Sequence, residues 1–305
     1  MTKLAADLLN AIRPTTYIVS SKLNERLGID LTIASETFQH TGSFKFRAAY
    51  NLAASVPNRE ILTASSGNFG QALAYACRLL GKKCTVVMPA NSAAVKIEAV
   101  RNFGATVDLI DTSKVGRNER VAEIAAIKPE AYAASAYDDD FVIAGNSTLG
   151  LELAGQNFDS IIVPVGGGGL ISGIILGLEK ADGQTAVYAA EPLLANDGAR
   201  SFRSGKLIAN EKEPQTIADG ARTISLGIRN WPVIQRGVVD FIEVAEETIA
   251  SALRLYFELA NLKCEPTGAL SLGALLTVPE KFQNKKVCVV VSGGNVDASL
   301  YKSLI

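Results

Sequence analysis

Lys45 lies in the run Thr41-Gly42-Ser43-Phe44-Lys45-Phe46-Arg47-Ala48-Ala49, between a short apolar segment and a helical pattern. A lysine at such a junction is partly stripped of water, which disfavours its charged form and frees an amine for carbonyl chemistry. Most lysines only solvate a surface, so this reading depends on what the rest of the chain offers. Two later segments offer anion binding. Val165 ends an apolar strand pattern and is followed by Gly166-Gly167-Gly168-Gly169, with a helical pattern opening at Leu170. Consecutive glycines let the backbone approach a ligand closely and aim several N–H groups at it. The start of a helix adds its own free donors and positive dipole end. In Ser65-Ser66-Gly67-Asn68-Phe69-Gly70, hydroxyls, an amide and backbone donors converge at a second helix start. That set suits a carboxylate, and it equally suits ordinary turn and capping chemistry.

The spacing argues against two common phosphate motifs. A dinucleotide loop needs G-x-G-x-x-G and an acid about 20 residues on, at the end of the next strand. Glu191 stands where that acid would be, but Ile171 and Ser172 occupy the last glycine position in the two available registers. A triphosphate loop needs Lys-Ser/Thr, and Leu170-Ile171 stand there instead. A single phosphate monoester fits the glycine run better.

These loops need a scaffold, and the chain supplies an alternating one. Strand patterns cover 31–35, 61–64, 84–88, 106–110, 161–165, 186–190, 241–244 and 287–291. Helical patterns between them include 70–80, 92–103, 117–127, 170–180 and 247–260. Such alternation predicts an α/β fold of open parallel sheets flanked by helices, with ligands at the carboxyl ends of the strands. The chain is long enough, at 305 residues, for two lobes. Pro129 and the acidic Asp138-Asp139-Asp140 mark a crossover between them, the acids reading as a solvated helix start. The 30 basic and 31 acidic residues nearly cancel and form no basic stripe, which argues against nucleic acid as a partner. No apolar run is long enough to span a bilayer, and the first residues lack a signal-peptide core. Cys77, Cys84, Cys264 and Cys288 follow no metal or disulfide spacing and read as buried thiols in a reducing cytoplasm.

With Ser292-Gly293-Gly294-Asn295 added to these motifs, the chain resembles the fold-type II pyridoxal-phosphate enzymes, in the serine racemase and serine/threonine dehydratase branch. Ala190-Glu191-Pro192 and Glu265-Pro266-Thr267 belong to the same resemblance, which runs from about Arg13 to the C-terminus. It implies a tryptophan synthase β-like fold of two domains, a large cofactor domain of 1–50 and 140–305 and a small domain of 51–139. It implies that Lys45 is the Schiff-base lysine and that Phe44, Asn68, Gly166, Gly167, Gly168, Gly169, Glu265 and Ser292 hold pyridoxal 5'-phosphate. Asn68 would meet the ring hydroxyl and Ser292 the ring nitrogen. Ser65, Ser66, Gly67 and Asn68 would bind the substrate carboxylate.

The implied reaction is loss of ammonia from L-serine, L-threonine or a related 3-hydroxy amino acid, giving a 2-oxo acid. Ser66, on the face opposite Lys45, opens the alternative of racemisation. A β-replacement synthase and a catalytically silent cofactor-binding protein are further alternatives. Glu191, Ala195 and Asp197 match the branch's site for Mg²⁺, Ca²⁺ or Mn²⁺, and the branch usually forms homodimers. The chain departs from the branch in several places. Phe69 replaces a histidine, Ala48 replaces a glycine, and Ser135-Ala136-Tyr137-Asp138 replaces a histidine-containing segment. His40, the only histidine, reads as a surface or packing residue rather than a catalytic one, and Arg117 as an exposed helical arginine that could approach substrate.

Overall fold

The computed structural model describes residues 4–65, 67–92 and 94–305. In chain order the strands are β1 (Thr16–Ile18), β2 (Asp30–Ser35), β3 (Glu60–Ala64), β4 (Lys83–Pro89) and β5 (Thr106–Ile110). They continue as β6 (Tyr132–Ala134), β7 (Ser160–Pro164), β8 (Ala186–Pro192), β9 (Val238–Val244) and β10 (Lys286–Val291). All eight strand patterns read from the sequence are present, and β1 and β6, of three residues each, are additional. The chain divides into two compact units. One holds residues 4–12 and Lys45–Gly145, the other Arg13–Phe44 and Asn146–Ile305. These divisions fall some residues away from those read in the sequence. Residues 4–12 go with the smaller unit because Leu8 and Ile12 are buried in one core with Phe46, Tyr50 and Leu73.

In the larger unit six strands run in the order β1-β2-β10-β7-β8-β9. The sheet is parallel except at one edge, where β1 pairs antiparallel with β2. Both faces are covered, which explains why its strands read as continuous apolar runs rather than alternating ones. Val287, Val289 and Val291 of β10 point into one core with Leu31, Ile33 and Leu270, while Cys288 and Val290 point into the opposite one with Ile161, Val163 and Ile174. The smaller unit repeats the plan with four parallel strands in the order β5-β4-β3-β6. There Val86 and Met88 face one layer and Val87 the other.

Asp139 corrects one sequence expectation. It is not solvated; it is 6% exposed, and its carboxylate accepts from the N–H groups of Phe141 (2.8 Å) and Val142 (3.4 Å) and from the Tyr132 hydroxyl (2.9 Å). The acid therefore caps the helix Asp140–Ala154 from inside, and burial raises its pKa.

The helix Gly169–Lys180, which the glycine run opens, packs backbone to backbone on Asp140–Ala154. A Cβ on Gly177 would lie 2.3 Å from Ser147 O and 2.7 Å from the Gly150 Cα, atoms that cannot swing aside. Gly177→Ala should therefore destabilise the fold by about 1–3 kcal/mol. Urea unfolding should show a lower midpoint with an unchanged slope.

Candidate active site

Within the larger sheet, β2, β10, β7 and β8 are parallel neighbours, so their carboxyl ends open on one edge. The last strand, β10, lies between β2 and β7, and a reversal of winding at such a point leaves room for a ligand. The segments leaving that edge are those the sequence singled out. Residues 36–44 follow β2, Ser292–Asn295 follow β10, the glycines follow β7, and Glu191-Pro192 end β8.

The glycine loop is shaped for close approach. Gly168 has φ +89°, which favours glycine, and a Cβ on Gly166 would meet Gly220 O at 2.9 Å and the Ala221 Cα at 3.0 Å. Gly167, Gly168 and Gly169 are buried. Among the described residues, none accepts a hydrogen bond from the backbone N–H groups of Gly166–Gly169. The carbonyl of Gly167 is well served, accepting from Gly227 N–H (3.0 Å) and from Asn230 Nδ2 (2.9 Å). Donors without acceptors at a helix start fit a phosphate group.

Ser292 is 2% exposed and its Oγ has no hydrogen-bond partner among the described residues. Its backbone is stitched to the segment that leads into Lys45. Phe44 N–H donates to Ser292 O (3.0 Å), Ser43 and Gly293 form an antiparallel bridge, and Gly294 N–H donates to Gly42 O (2.9 Å). Thr41 enters this stretch at φ +61°, costly for a β-branched residue, with its carbonyl held by Asn295 Nδ2 at 2.7 Å. Phe44 is 8% exposed, in the core beside Ala34 and Val290. Glu265 is 4% exposed at the start of the helix Pro266–Thr277, and its N–H donates to Gly293 O (3.0 Å). His40 is partly buried, and burial, then Arg13 beside it, lowers its pKa.

In the smaller unit Lys45 opens the helix Lys45–Ser55 and is half-buried. Its Nζ donates to Ala136 O (2.9 Å) and stands 5.8 Å from the centroid of the Phe69 ring. Phe69 is 2% exposed, so the ring both fills the core and faces the amine. Asn68 begins the helix Asn68–Leu79, with Gly67 before it. Ser65 Oγ accepts from the N–H groups of Gly67 (3.3 Å) and Gly70 (3.0 Å), which fixes the turn. Ser66 lies outside the described residues. Arg117 opens the helix Arg117–Ile127 and is half-buried. At Ala48 the close contact is made by Gly145, whose Cβ would lie 2.5 Å from Arg47 O and 2.8 Å from the Ala48 Cα.

Glu191, Ala195 and Asp197 are each about 1% exposed. The Glu191 carboxylate accepts from Gly198 N–H (3.0 Å) and Ala199 N–H (2.8 Å). Asp197 Oδ1 accepts from Asn210 Nδ2 (2.8 Å), while Asp197 Oδ2 has no partner among the described residues. Burial, then the neighbouring Asp197, raises the Glu191 pKa well above the carboxylate range, and burial pushes Asp197 up to about 7. Among the described residues no group of three or more His, Cys, Asp or Glu is placed to hold a metal. Any cation here would thus rest on two carboxylates and backbone oxygen.

A family model described as pyridoxal-phosphate dependent enzyme matches residues 8–293. The chain belongs to this family. It is 35% identical to an L-threo-3-hydroxyaspartate ammonia-lyase of Pseudomonas sp, covering 99% of this chain and 96% of that one. It is 37% identical to the serine racemase of Homo sapiens, covering 97% and 90%. Among solved structures, maize serine racemase superposes with a TM-score of 0.92 at 33% identity, covering 98% of this chain and 94% of that one. The orphan donors of Gly166–Gly169 and the unpartnered Ser292 hydroxyl are what a phosphate and a ring nitrogen require, so the residues present fit this family's cofactor.

Sequence reasoning missed Ala136, whose contribution is a backbone carbonyl carrying no residue-type signal. It also missed Asn230, which Asn-Trp-Pro at a helix start could have flagged as a cap. Two consequences of the acidic pair can be measured. The folded chain holds protons on Glu191 and Asp197 at pH values where the unfolded chain has released them. Stability is then full below the ordinary carboxylate range and declines as pH rises through about 7. With chelator present, denaturant unfolding should show this decline from about pH 4 to about pH 7, at up to about 1.4 kcal/mol per pH unit per group. Glu191→Gln should flatten the profile.

Proposed function

We propose that this enzyme is a pyridoxal-phosphate dependent ammonia-lyase of small L-3-hydroxy amino acids, of the serine, threonine or 3-hydroxyaspartate kind. The products are a 2-oxo acid and ammonia. The observation that carries the reading is the stitching of the segment leading into Lys45 onto Ser292 and Gly293, which follow a strand adjacent to the one that ends at the loop of orphan donors. The likeness to an ammonia-lyase over nearly the whole chain supports the same reaction.

Bound pyridoxal phosphate supplies an electron-withdrawing ring that makes the α-proton of an attached amino acid removable. The chain's own residues do the rest. Lys45 Nζ would hold the cofactor through its aldehyde carbon and, once the substrate's amine has taken that place, would take the substrate's α-proton as a free amine. Ala136 O gives the amine a neutral resting partner. Gly166–Gly169 would hold the phosphate and Asn68 the ring hydroxyl. Phe44 and Glu265 would border the ring, and Ser292 Oγ would meet the ring nitrogen as a neutral partner that does not hold a proton there. The loop from Ser65 to Asn68 would orient the substrate carboxylate, with Ser65 acting through the backbone it caps.

Racemisation is the second reading, favoured by the hydroxyl at Ser66 and by the likeness to serine racemases. Lys45 Nζ would take a proton from one face and Ser66 Oγ return one to the other. Incubation with L- and D-serine, threonine and 3-hydroxyaspartate, following 2-oxo acid and the chirality of residual substrate, separates the two. Lyase turnover should dominate and fall about 100- to 10,000-fold in Lys45→Ala. Ser66→Ala should abolish racemisation of whichever substrate shows it. Turnover that survives Lys45→Ala undiminished would rule out the assignment.

Glu191, Asp197 and the Ala195 carbonyl would hold Mg²⁺, or Ca²⁺ or Mn²⁺, as hard oxygen ligands do. The support is two buried carboxylates with raised pKa and one oxygen lacking a partner. Adding Mg²⁺ to chelated protein should raise its melting temperature, and the increment should vanish in Glu191→Gln. A cytoplasmic setting is supported by four free, buried cysteines, and a homodimer by the family resemblance. No helix among the described residues is long and apolar enough to cross a membrane.

A further inference from the structure

Four glycines in a row give a loop its closeness to a ligand but take away its direction. Each lacks a Cβ to bias its backbone, so peptide planes in such a run rotate at little cost. A phosphate site needs the opposite property, with N–H groups fixed on one side before the anion arrives. Something outside the run has to set the planes of Gly166–Gly169.

Asn230 is placed to do so. It is 0% exposed, at the start of the helix Trp231–Gly237. Its own carbonyl is anchored, accepting from Ile234 N–H (3.0 Å) and Val233 N–H (3.1 Å), with the Ser172 hydroxyl at 3.4 Å. From this fixed base its Nδ2 donates to Gly167 O (2.9 Å), which Gly227 N–H approaches at 3.0 Å. Two donors occupy both lone pairs of that carbonyl. A peptide unit is planar and trans, so its C=O and N–H point in opposite directions. Turning the Gly167 carbonyl toward Asn230 and Gly227 therefore turns the Gly168 N–H the other way, and that N–H is one of the loop's orphan donors. The neighbouring side chains close the device. A Cβ at Gly168 would lie 2.6 Å from Ile234 Cδ1 and 3.2 Å from Asn230 Cβ, so the loop rests directly against the segment that orients it.

We infer that Asn230 is a positioning residue for phosphate recognition: its amide fixes the Gly167–Gly168 peptide plane so that the Gly168 N–H faces the anion. It touches neither the cofactor ring nor the substrate. Its contribution is confined to the share of cofactor affinity that comes from the phosphate group. The inference rests on the cofactor assignment above and adds to it which residue makes the glycine loop selective for a phosphorylated ligand.

The test compares two ligands that differ only in that group. Pyridoxal phosphate and pyridoxal are titrated into the apoprotein, unsubstituted and as Asn230→Asp and Asn230→Ala. Asn230→Asp keeps the shape but puts an acceptor where the donor was. Affinity for pyridoxal phosphate should fall roughly ten- to a hundredfold, the worth of a hydrogen bond to a charged group. Affinity for pyridoxal should stay within about twofold, since its ring and aldehyde contacts are untouched. Equal weakening of both ligands would mean that Asn230 only supports the fold, and no change in either would mean that the loop needs no strut. Both results overturn the inference while leaving the cofactor assignment intact. An unsubstituted protein that binds neither ligand sinks the assignment and the inference with it. Should the variants fold poorly, the unsubstituted protein labelled with ¹⁵N-glycine decides. Inorganic phosphate should shift the Gly168 amide resonance, and a Gly168 amide that ignores phosphate refutes the placement.

Discussion

A helix start buried without acceptors for its N–H groups is a standing cost, and at Gly166–Gly169 the described protein offers no acceptor. The rest of the larger unit can be understood as what makes that cost tolerable and useful. The loop must stay glycine because Gly220 and Ala221 press on Gly166, and Asn230 and Ile234 press on Gly168. It sits at the carboxyl end of β7, where a parallel strand hands over to a helix whose positive dipole end would face an anion. It must also lie near β10, whose end delivers Ser292.

The sheet achieves this by an order that chain sequence alone does not suggest. β10 is the last strand of the chain, yet it pairs with β2 over its full length and with β7 on its other side. The stretch after β2 and the stretch after β10 therefore leave the sheet together and continue as antiparallel partners through Ser43 and Gly293. Phe44, the residue before Lys45, is the last one so held, its N–H donating to Ser292 O. An error of one residue in that register would move Phe44, whose side chain belongs to the core, out of place.

What was legible in the sequence was whatever burial on both faces or unusual composition writes into residue identity. β10 reads as Lys-Val-Cys-Val-Val-Val because each face of it meets a packed layer, and the glycine run is visible to any reader. β1 and β6 were not legible, because three residues carry no period and their strand character comes from a neighbour already in place. Asp139 was misread for a related reason. An acid cluster resembles a solvated turn until Tyr132 and the first N–H groups of the following helix close over one member of it. Ala136 and Gly227 act through backbone atoms that every residue has, and Asn230 acts through a contact 63 positions away along the chain. Tertiary partners chosen in this way leave no local trace.

The carboxylate pair at the end of β8 follows the logic of the glycine loop with the sign reversed. At the loop, donors are buried without acceptors. At Glu191 and Asp197, carboxyl groups are buried with few donors, and the low polarity around them raises both pKa values. Gly198 is part of the arrangement, since a Cβ there would lie 2.8 Å from Glu191 Oε1 and 2.7 Å from the Phe241 ring. Each place departs from the rule that buried polar groups are satisfied, and in each the departure is of the kind that a ligand of opposite charge would relieve. An isolated flaw in packing would be expected to show one sign at random. The two buried sites lie on the loops that leave the adjacent strands β7 and β8, donors without acceptors on one and crowded carboxyl groups on the other, so a single sheet edge carries both imbalances.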